Sequence, residues 1–208
     1  MGHPKLFEPA RFYDFIPRSG GVLDRLEKEA KSEDIPIIGP VLGRLLYILA
    51  RSQNAKKILE LGTATGYSAI WLGRAVVASK GKVITVEWDE ATAERARANL
   101  QEAGLSKAVT VKQGDARELL SSLKGPFDLI FLDVEKEMYS SLLDGAVKLL
   151  RPWGIMVFDN TAFTTGRDFL ERSFNHKDLE TVHLYGLFPD HEPDFDAITV
   201  CMKKGPSR

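Results

Sequence analysis

The 208-residue sequence has one cysteine, Cys201. A lone cysteine excludes an intrachain disulfide, and nothing points to an oxidising compartment. Its expected role is that of a small buried hydrophobe in a late strand. Long apolar runs are also missing. No stretch approaches the roughly 18–20 residues needed to cross a bilayer, and Met1–Ala10 has no apolar core of a signal peptide. The expectation is a cytoplasmic protein with no membrane association. Charge excess is absent too: 28 basic residues face 29 acidic ones, a balance that argues against a general nucleic-acid binder. There is no internal repeat and no low-complexity tract.

What is present is an ordinary apolar fraction, 44%, enough for a core in one domain over residues 1–208. Residues 1–35 read as a lead-in, a candidate substrate cap or dimer element, with Phe7, Phe12, Tyr13 and Phe15 among Pro4, Pro9 and Pro17. A short helix is expected over Val22–Lys31, and a second over Pro36–Ser52, with Val41, Leu45, Leu46, Ile48 and Leu49 on one broad face. Over 36–206, short apolar runs then alternate with amphipathic stretches. Strands are predicted at Lys57–Leu61, Lys82–Glu87, Ala108–Lys112, Phe127–Leu132 and Ile155–Phe158. The helices between and after them fall near 67–78, 89–103, 116–123, 136–150 and 168–174. Two late extended segments, Leu179–Leu184 and Ala197–Met202, read as an antiparallel hairpin closing the sheet edge. This alternation implies an α/β protein: a doubly wound, mostly parallel seven-stranded sheet with right-handed crossovers. Ligands in such sheets bind beyond the carboxyl ends of the strands, near the switch in strand order.

The first strand runs into Glu60-Leu-Gly62-Thr63-Ala-Thr-Gly66-Tyr-Ser68. Gly62 and Gly66 permit a tight turn and a close backbone approach. A dinucleotide fingerprint would want glycine at 62, 64 and 67, but 64 is alanine and 67 is tyrosine. A ligand with an adenosine and no phosphates fits better. Glu87 closes the second strand, where an acid can accept hydrogen bonds from both ribose hydroxyls. Asp89 is the better candidate for capping the next helix. After the third strand, Ala116 in Gly114-Asp-Ala116 leaves room for a flat adenine edge.

The fourth strand ends in Asp133-Val-Glu-Lys136 and the fifth in Asp159-Asn160. Asp133, Asp159 and Asn160 offer three hard oxygen ligands at one sheet edge, which suits Mg²⁺ or another divalent cation of similar taste. Neither histidine nor cysteine joins the group, which speaks against Zn²⁺. A vicinal diol could fill open positions on such a cation, which would stabilise its deprotonated oxygen. Lys136 is placed to take the proton, because a nearby divalent cation disfavours its ammonium form. The competing readings are plain ones: Asp133 as a helix cap, Asp159-Asn160 as a turn, Lys136 as a solvated helix residue.

The glycine loop and the Val86-Glu87-Trp-Asp segment resemble the first and the ribose-binding motifs of class I S-adenosylmethionine (SAM) methyltransferases, whose fold is Rossmann-like. The resemblance implies that Gly62 and Thr63 line the methionine end of SAM, Glu60 faces its amine and Ser68 contacts its carboxylate. It also implies that Ile38 lies over the cofactor from the helix before the first strand. The Phe131-Leu-Asp133-Val-Glu-Lys136-Glu-Met-Tyr139 stretch, and Asp159-Asn160 with Gly166 beyond it, are similar to the metal motifs of cation-dependent O-methyltransferases of the catechol and caffeoyl-CoA type. The likeness runs from about residue 36 to 206 and implies a small hydroxylated, catechol-like acceptor and a homodimer. Two departures stand out: Glu135 where many members carry Asp, and Trp153-Gly154 where many carry Gly-Gly, in what reads as a turn. Asp190 sits where catechol-type enzymes carry an acid near the second hydroxyl, although an exposed loop carboxylate is the favoured reading. The cluster Asp190–Asp196 reads as a solvated loop. His3, His176, His183 and His191 show no metal-ligand spacing and read as surface or packing residues, His191 alone being in a loop that could border an acceptor. Methyl transfer to a nitrogen or a macromolecule, a nicotinamide oxidoreductase and a non-catalytic binding protein remain as alternatives.

Overall fold

The structure, a computed structural model, describes residues 9–191 and 193–206, so the expectations for His3, Phe7 and the Glu192 position lie outside the described residues. Five β-branched, apolar runs form β1 (Lys57–Leu61), β2 (Lys82–Glu87), β3 (Val109–Gln113), β4 (Phe127–Leu132) and β5 (Leu150–Phe158). The helices are α1 (Val22–Glu33), α2 (Gly39–Ser52), α3 (Tyr67–Val77), α4 (Glu90–Glu102), α5 (Ala116–Ser122), α6 (Tyr139–Leu149) and α7 (Arg167–Asn175). A 3-10 turn, Pro9–Phe15, precedes them, and β6 (Leu179–Leu187) and β7 (Phe195–Lys203) end the chain.

The sheet order is β3-β2-β1-β4-β5-β7-β6. The first five strands are parallel, and β7 runs antiparallel to both β5 and β6. The chain winds outward from β1 to β3, then returns to place β4 on the other side of β1. The crevice opens at that switch. Alternation along the strands sends Ile58, Leu129, Phe131 and Val157 to one face, against α2, α3 and the Leu23 and Leu26 side chains of α1. Leu59, Leu61, Ile130, Leu132 and Phe158 go to the other, against α5, α6 and α7. Each such side chain contributes roughly 1.5–3 kcal/mol of burial, so the strand ends that carry the polar residues are held on a rigid frame.

Three local differences from the sequence reading have simple causes. Helix α2 starts at Gly39 with Pro40 in its first turn, so Ile38 is the cap residue and not a helical one. The segment after β4 opens with a 3-10 turn, Lys136–Met138, before α6 begins. Strand β5 starts at Leu150, five residues early, and its register against β4 shifts between Phe127 and Leu129. Within that irregularity Trp153 has φ +62° and is 54% exposed, so a bulky residue occupies a left-handed position that glycine takes without strain. Cys201 is buried in β7, and burial pushes its thiol up to about 11. No helix among the described residues is long and apolar enough to cross a membrane.

Candidate active site

The turn after β1 makes a pocket of about 470 Å³ at the switch point. Gly62 has φ +96°, and a Cβ there would lie 1.8 Å from the Asp133 carbonyl oxygen, so only glycine lets β1 and β4 end side by side. Ala64 carries the left-handed φ of +44° in the same turn. Gly66, at φ +89°, starts α3. The turn is tied from two directions. The Ala64 N–H donates to Glu87 Oε2 at 2.8 Å, and the Asn99 amide donates to the Thr65 carbonyl at 2.9 Å. Arg25 in turn donates to Asn99 Oδ1.

Ile38, Gly62, Thr63, Ser68, Glu87, Ala116 and Asp133 all line this pocket. Gly66 does not reach the wall; its contribution is the turn. Glu60 is not in the wall either. It lies fully buried beneath it, and neither carboxylate oxygen has a hydrogen-bond partner. Burial pushes it up to about 8; the Thr85 and Ser68 hydroxyls are near enough to ease its charge without bonding it, and the Asp133 and Glu87 charges push it further up. Asp89 caps α4 by accepting from the Thr92 N–H at 2.8 Å, which leaves Glu87 to the pocket and the glycine turn.

Beside the pocket, β4 and β5 deliver the second constellation. Asp133 Oδ1 is 3.0 Å from Lys136 Nζ. The buried Tyr139 hydroxyl lies 3.1 Å from the Leu132 carbonyl and 2.9 Å from the Asp159 carbonyl, its hydrogen shared between the two strand ends. Asp159 and Asn160 are both buried, and Asn160 takes the left-handed φ of +47°, which asparagine tolerates. The Asn160 amide nitrogen donates to Asp196 Oδ2 at 2.6 Å. Because a carboxylate only accepts, that bond fixes which end of the amide is its oxygen.

The acidic loop differs from the solvated one expected. Asp196 is fully buried and also accepts from the Ala162 and Ala197 N–H groups. Asp190 pairs with Lys31 at 2.7 Å and faces a small charged hollow with Arg18, Asp24, Glu27 and Lys28, away from the main pocket. Asp194 accepts from the Tyr13 hydroxyl at 2.7 Å. His191, 4% exposed, places Nε2 2.9 and 3.0 Å from the two oxygens of Asp159. Burial alone would lower His191, but the bond and charge of Asp159 and the Pro193 carbonyl outweigh it and raise the ring to about 9. Asp159 itself is pushed up by burial, with His191 offsetting part of the rise and the Asp133 charge adding to it. His176 lies 3.5 Å from Asp144, and His183 sits between Thr161 and Thr199, as packing residues do.

Comparison with known proteins settles the family. The O-methyltransferase family model matches residues 21–177. The chain belongs to the O-methyltransferase family. A catechol O-methyltransferase of Niastella koreensis is 41% identical over 127 residues, 59% of this chain and 57% of that protein. A catechol O-methyltransferase of Mycobacterium tuberculosis is 41% identical over 119 residues, 57% of this chain and 54% of that protein. The matched segments thus span little more than half the length of these relatives. Among solved structures, the O-methyltransferase TomG from Streptomyces achromogenes in complex with SAM superposes with a TM-score of 0.84 at 28% identity, over 95% of this chain and 96% of that one. An O-methyltransferase from Bacillus cereus in complex with S-adenosylhomocysteine (SAH) gives 0.84 at 26% identity, over 94% and 96%.

Family motifs account for the residues at the ends of β1, β2, β4 and β5. They did not point to Asn99, His191 or Asp196. Each of these acts from a distant stretch of chain, with no local spacing to mark it. For His191 and Asp196 the one available signal was the excess of polar residues in Phe188–Asp196, the stretch that links β6 to β7 and begins β7.

Proposed function

We propose that the protein is a SAM-dependent, divalent-cation-dependent O-methyltransferase acting on a small catechol-like acceptor, a cytoplasmic enzyme working as a homodimer. The observation that carries this reading is that Asp133 belongs to both constellations: it lines the 470 Å³ pocket and stands beside Lys136, with its charge felt at Asp159. A methyl donor in the pocket and an acceptor at the strand ends would therefore meet at one carboxylate.

The partnerless Glu60 supports SAM as the pocket's ligand, since a buried carboxylate needs a cation and the methionine ammonium is one. In this reading Thr63 and Ser68 bind the rest of the methionine end, Glu87 accepts from the ribose hydroxyls, and Ile38 and Ala116 enclose the base. The donor chemistry at the second constellation fits a divalent cation. Two carboxylates that repel one another end adjacent strands, Asp159 is buried, and an amide side chain stands next to it. Among the described residues no three Asp, Glu, His or Cys side chains close on one point as folded; in this reading Asn160 and the acceptor's own oxygens complete the set. Asp133, Asp159 and Asn160 would hold the cation, which supplies Lewis acidity toward the acceptor oxygen.

Lys136 Nζ takes the hydroxyl proton. The freed oxygen electron pair forms the new bond to the methyl carbon as the carbon–sulfur bond breaks, and the sulfur leaves as the thioether of SAH. Fixing donor and acceptor in line removes most of the entropy of the encounter. A homodimer would cover the exposed Val182 and Leu184 on the edge strand β6; sedimentation velocity tests this.

Methyl transfer from labelled SAM to a panel of catechols, with Mg²⁺ and again with chelator, tests the reading. The expected result is product on vicinal diols that chelator removes. Product that survives chelation would favour a nitrogen or macromolecular acceptor, and a chain that fails to bind SAH would reopen the oxidoreductase alternative.

A further inference from the structure

None of the strand-end motifs falls in α1, yet this helix reaches the donor pocket through two side chains. The turn Gly62–Gly66 carries three left-handed residues, Gly62 at φ +96°, Ala64 at +44° and Gly66 at +89°. Backbone geometry forms such a turn, and bonds from outside hold it, above all at Ala64, whose side chain disfavours that φ. The Glu87 carboxylate is one tie, but it also faces the pocket and, in the proposed reading, serves the ribose hydroxyls. The Asn99 amide is the other. Asn99 is 5% exposed, does not line the pocket and donates to the carbonyl of Thr65, a residue of the pocket wall. A bound ligand therefore leaves this tie alone.

An amide can present either end. Arg25 on α1 decides the orientation of Asn99, because its Nη2 donates to Asn99 Oδ1 at 2.8 Å. A guanidinium only donates, so Oδ1 must face it and Nδ2 must face the Thr65 carbonyl. Arg25 is itself fixed. Its Nη1 is 2.6 Å from Glu29 Oε1 and its Nη2 is 2.6 Å from Glu102 Oε2, so one guanidinium joins α1 to α4. Glu29 is braced in turn by Arg95 of α4 at 2.9 Å. Leu23 and Leu26 bury in the core beside α2 and α3, which anchors the helix. The second side chain is Glu27, whose Oε1 accepts from the Tyr67 hydroxyl at 2.6 Å; Tyr67 lines the pocket just past the turn. Without the guanidinium, Asn99 Oδ1 would be a buried acceptor that has lost a charge-assisted donor, and the amide could turn away from Thr65.

We infer that Arg25 is a positioning residue for the donor pocket: it orients the Asn99 amide, the amide holds the Thr65 carbonyl, and the turn so held sets the affinity for SAM and SAH. This rests on the reading of the pocket as the SAM site. It gives α1 a part in cofactor binding that is separate from capping the acceptor or pairing two copies. The ion pairs of Arg25 with Glu29 and Glu102 are partly exposed and weak in themselves. The effect comes from the bond that they aim at Asn99.

The test is calorimetric titration of the full chain with SAH, as wild type, Arg25→Met, Asn99→Ala and the double variant, at a temperature where circular dichroism shows each of them folded. Each single change is expected to weaken SAH binding about five- to twentyfold. The double variant is expected to bind within about twofold of Asn99→Ala, because Arg25 has nothing left to orient. Amide hydrogen exchange across residues 62–66 should rise in ligand-free Arg25→Met and stay unchanged in β5 and β7, a local loosening that general destabilisation does not produce. Arg25→Met that binds SAH within about twofold of the wild type overturns the inference, and so do losses that multiply in the double variant. Either result leaves the SAM reading standing, since the wild type then binds SAH. A wild type that takes up no SAH overturns both. Arg25→Leu and Asn99→Leu give the same cycle should the first variants fail to fold.

Discussion

The two halves of the site are built in different ways. The pocket after β1 is lined mostly by short stretches at strand ends, the glycine turn, Glu87 and Gly114–Arg117, with Pro36–Ile38 joining them from the segment before α2. The second constellation starts in the same manner with Asp133 and Asp159-Asn160, but its outer layer comes from 30 or more residues away: His191 lies 32 positions beyond Asp159, and Asp196 lies 36 beyond Asn160. A binding turn can be written locally because backbone geometry makes it. Buried carboxylates and amides cannot, because their partners must arrive through tertiary packing. The first half thus bears the mark of the fold, and the second leaves room for one chain to differ from its relatives.

Gly62→Ala should break that comparison hardest, since Gly62 is where the halves touch. A methyl group would have to enter the Asp133 backbone at a φ that alanine disfavours, costing at least about 3 kcal/mol. Thermal unfolding should show a large fall in Tm, and calorimetry no SAH binding. Asp159→Asn should separate the halves instead. It keeps the size and a hydrogen bond for His191 but removes a charge; catechol methylation should drop roughly a thousandfold, while SAH binding changes little. Equal losses in both would mean that the two sites are one cooperative unit.

Glu60→Gln sharpens the account of the pocket through pH. The folded-state pKa is pushed up from 4.5 to about 8. The stability held by the protonated carboxyl is therefore fully present below pH 4.5 and is lost as pH rises toward 8. Urea denaturation of the ligand-free protein should show the wild type losing a few kcal/mol relative to Glu60→Gln between pH 5 and pH 9. Saturating SAH should flatten that difference, because its ammonium compensates the charge. A wild type with no such slope would place Glu60 in a wetter setting than its burial indicates. The smallest effect is expected at Trp88, which borders the pocket and is 70% exposed. Trp88→Ala should weaken SAH binding about three- to tenfold, the worth of one partly covered aromatic face, with no change in Tm.

Periodicity and strand-end residues determined the α/β architecture, the antiparallel hairpin and the placing of Gly62, Glu87, Asp133 and Asp159-Asn160 at one edge. Such features repeat over a few residues and obey backbone rules that act locally. The sequence also marked Lys136, three residues past Asp133, although it is a bend before the 3-10 turn, not a helical turn, that brings its ammonium back to Asp133. It could not show that Glu60 would lie beneath the pocket wall, because burial depends on what packs above it. Nor could it show that Trp153 would take a left-handed φ inside a longer β5, or that a loop read as solvated would bury Asp196 and set His191 on Asp159. The last of these follows from β7 inserting between β5 and β6. That topology carries the connecting loop over the ends of the parallel strands, where buried oxygens require partners and the nearest donors in space are among the furthest along the chain.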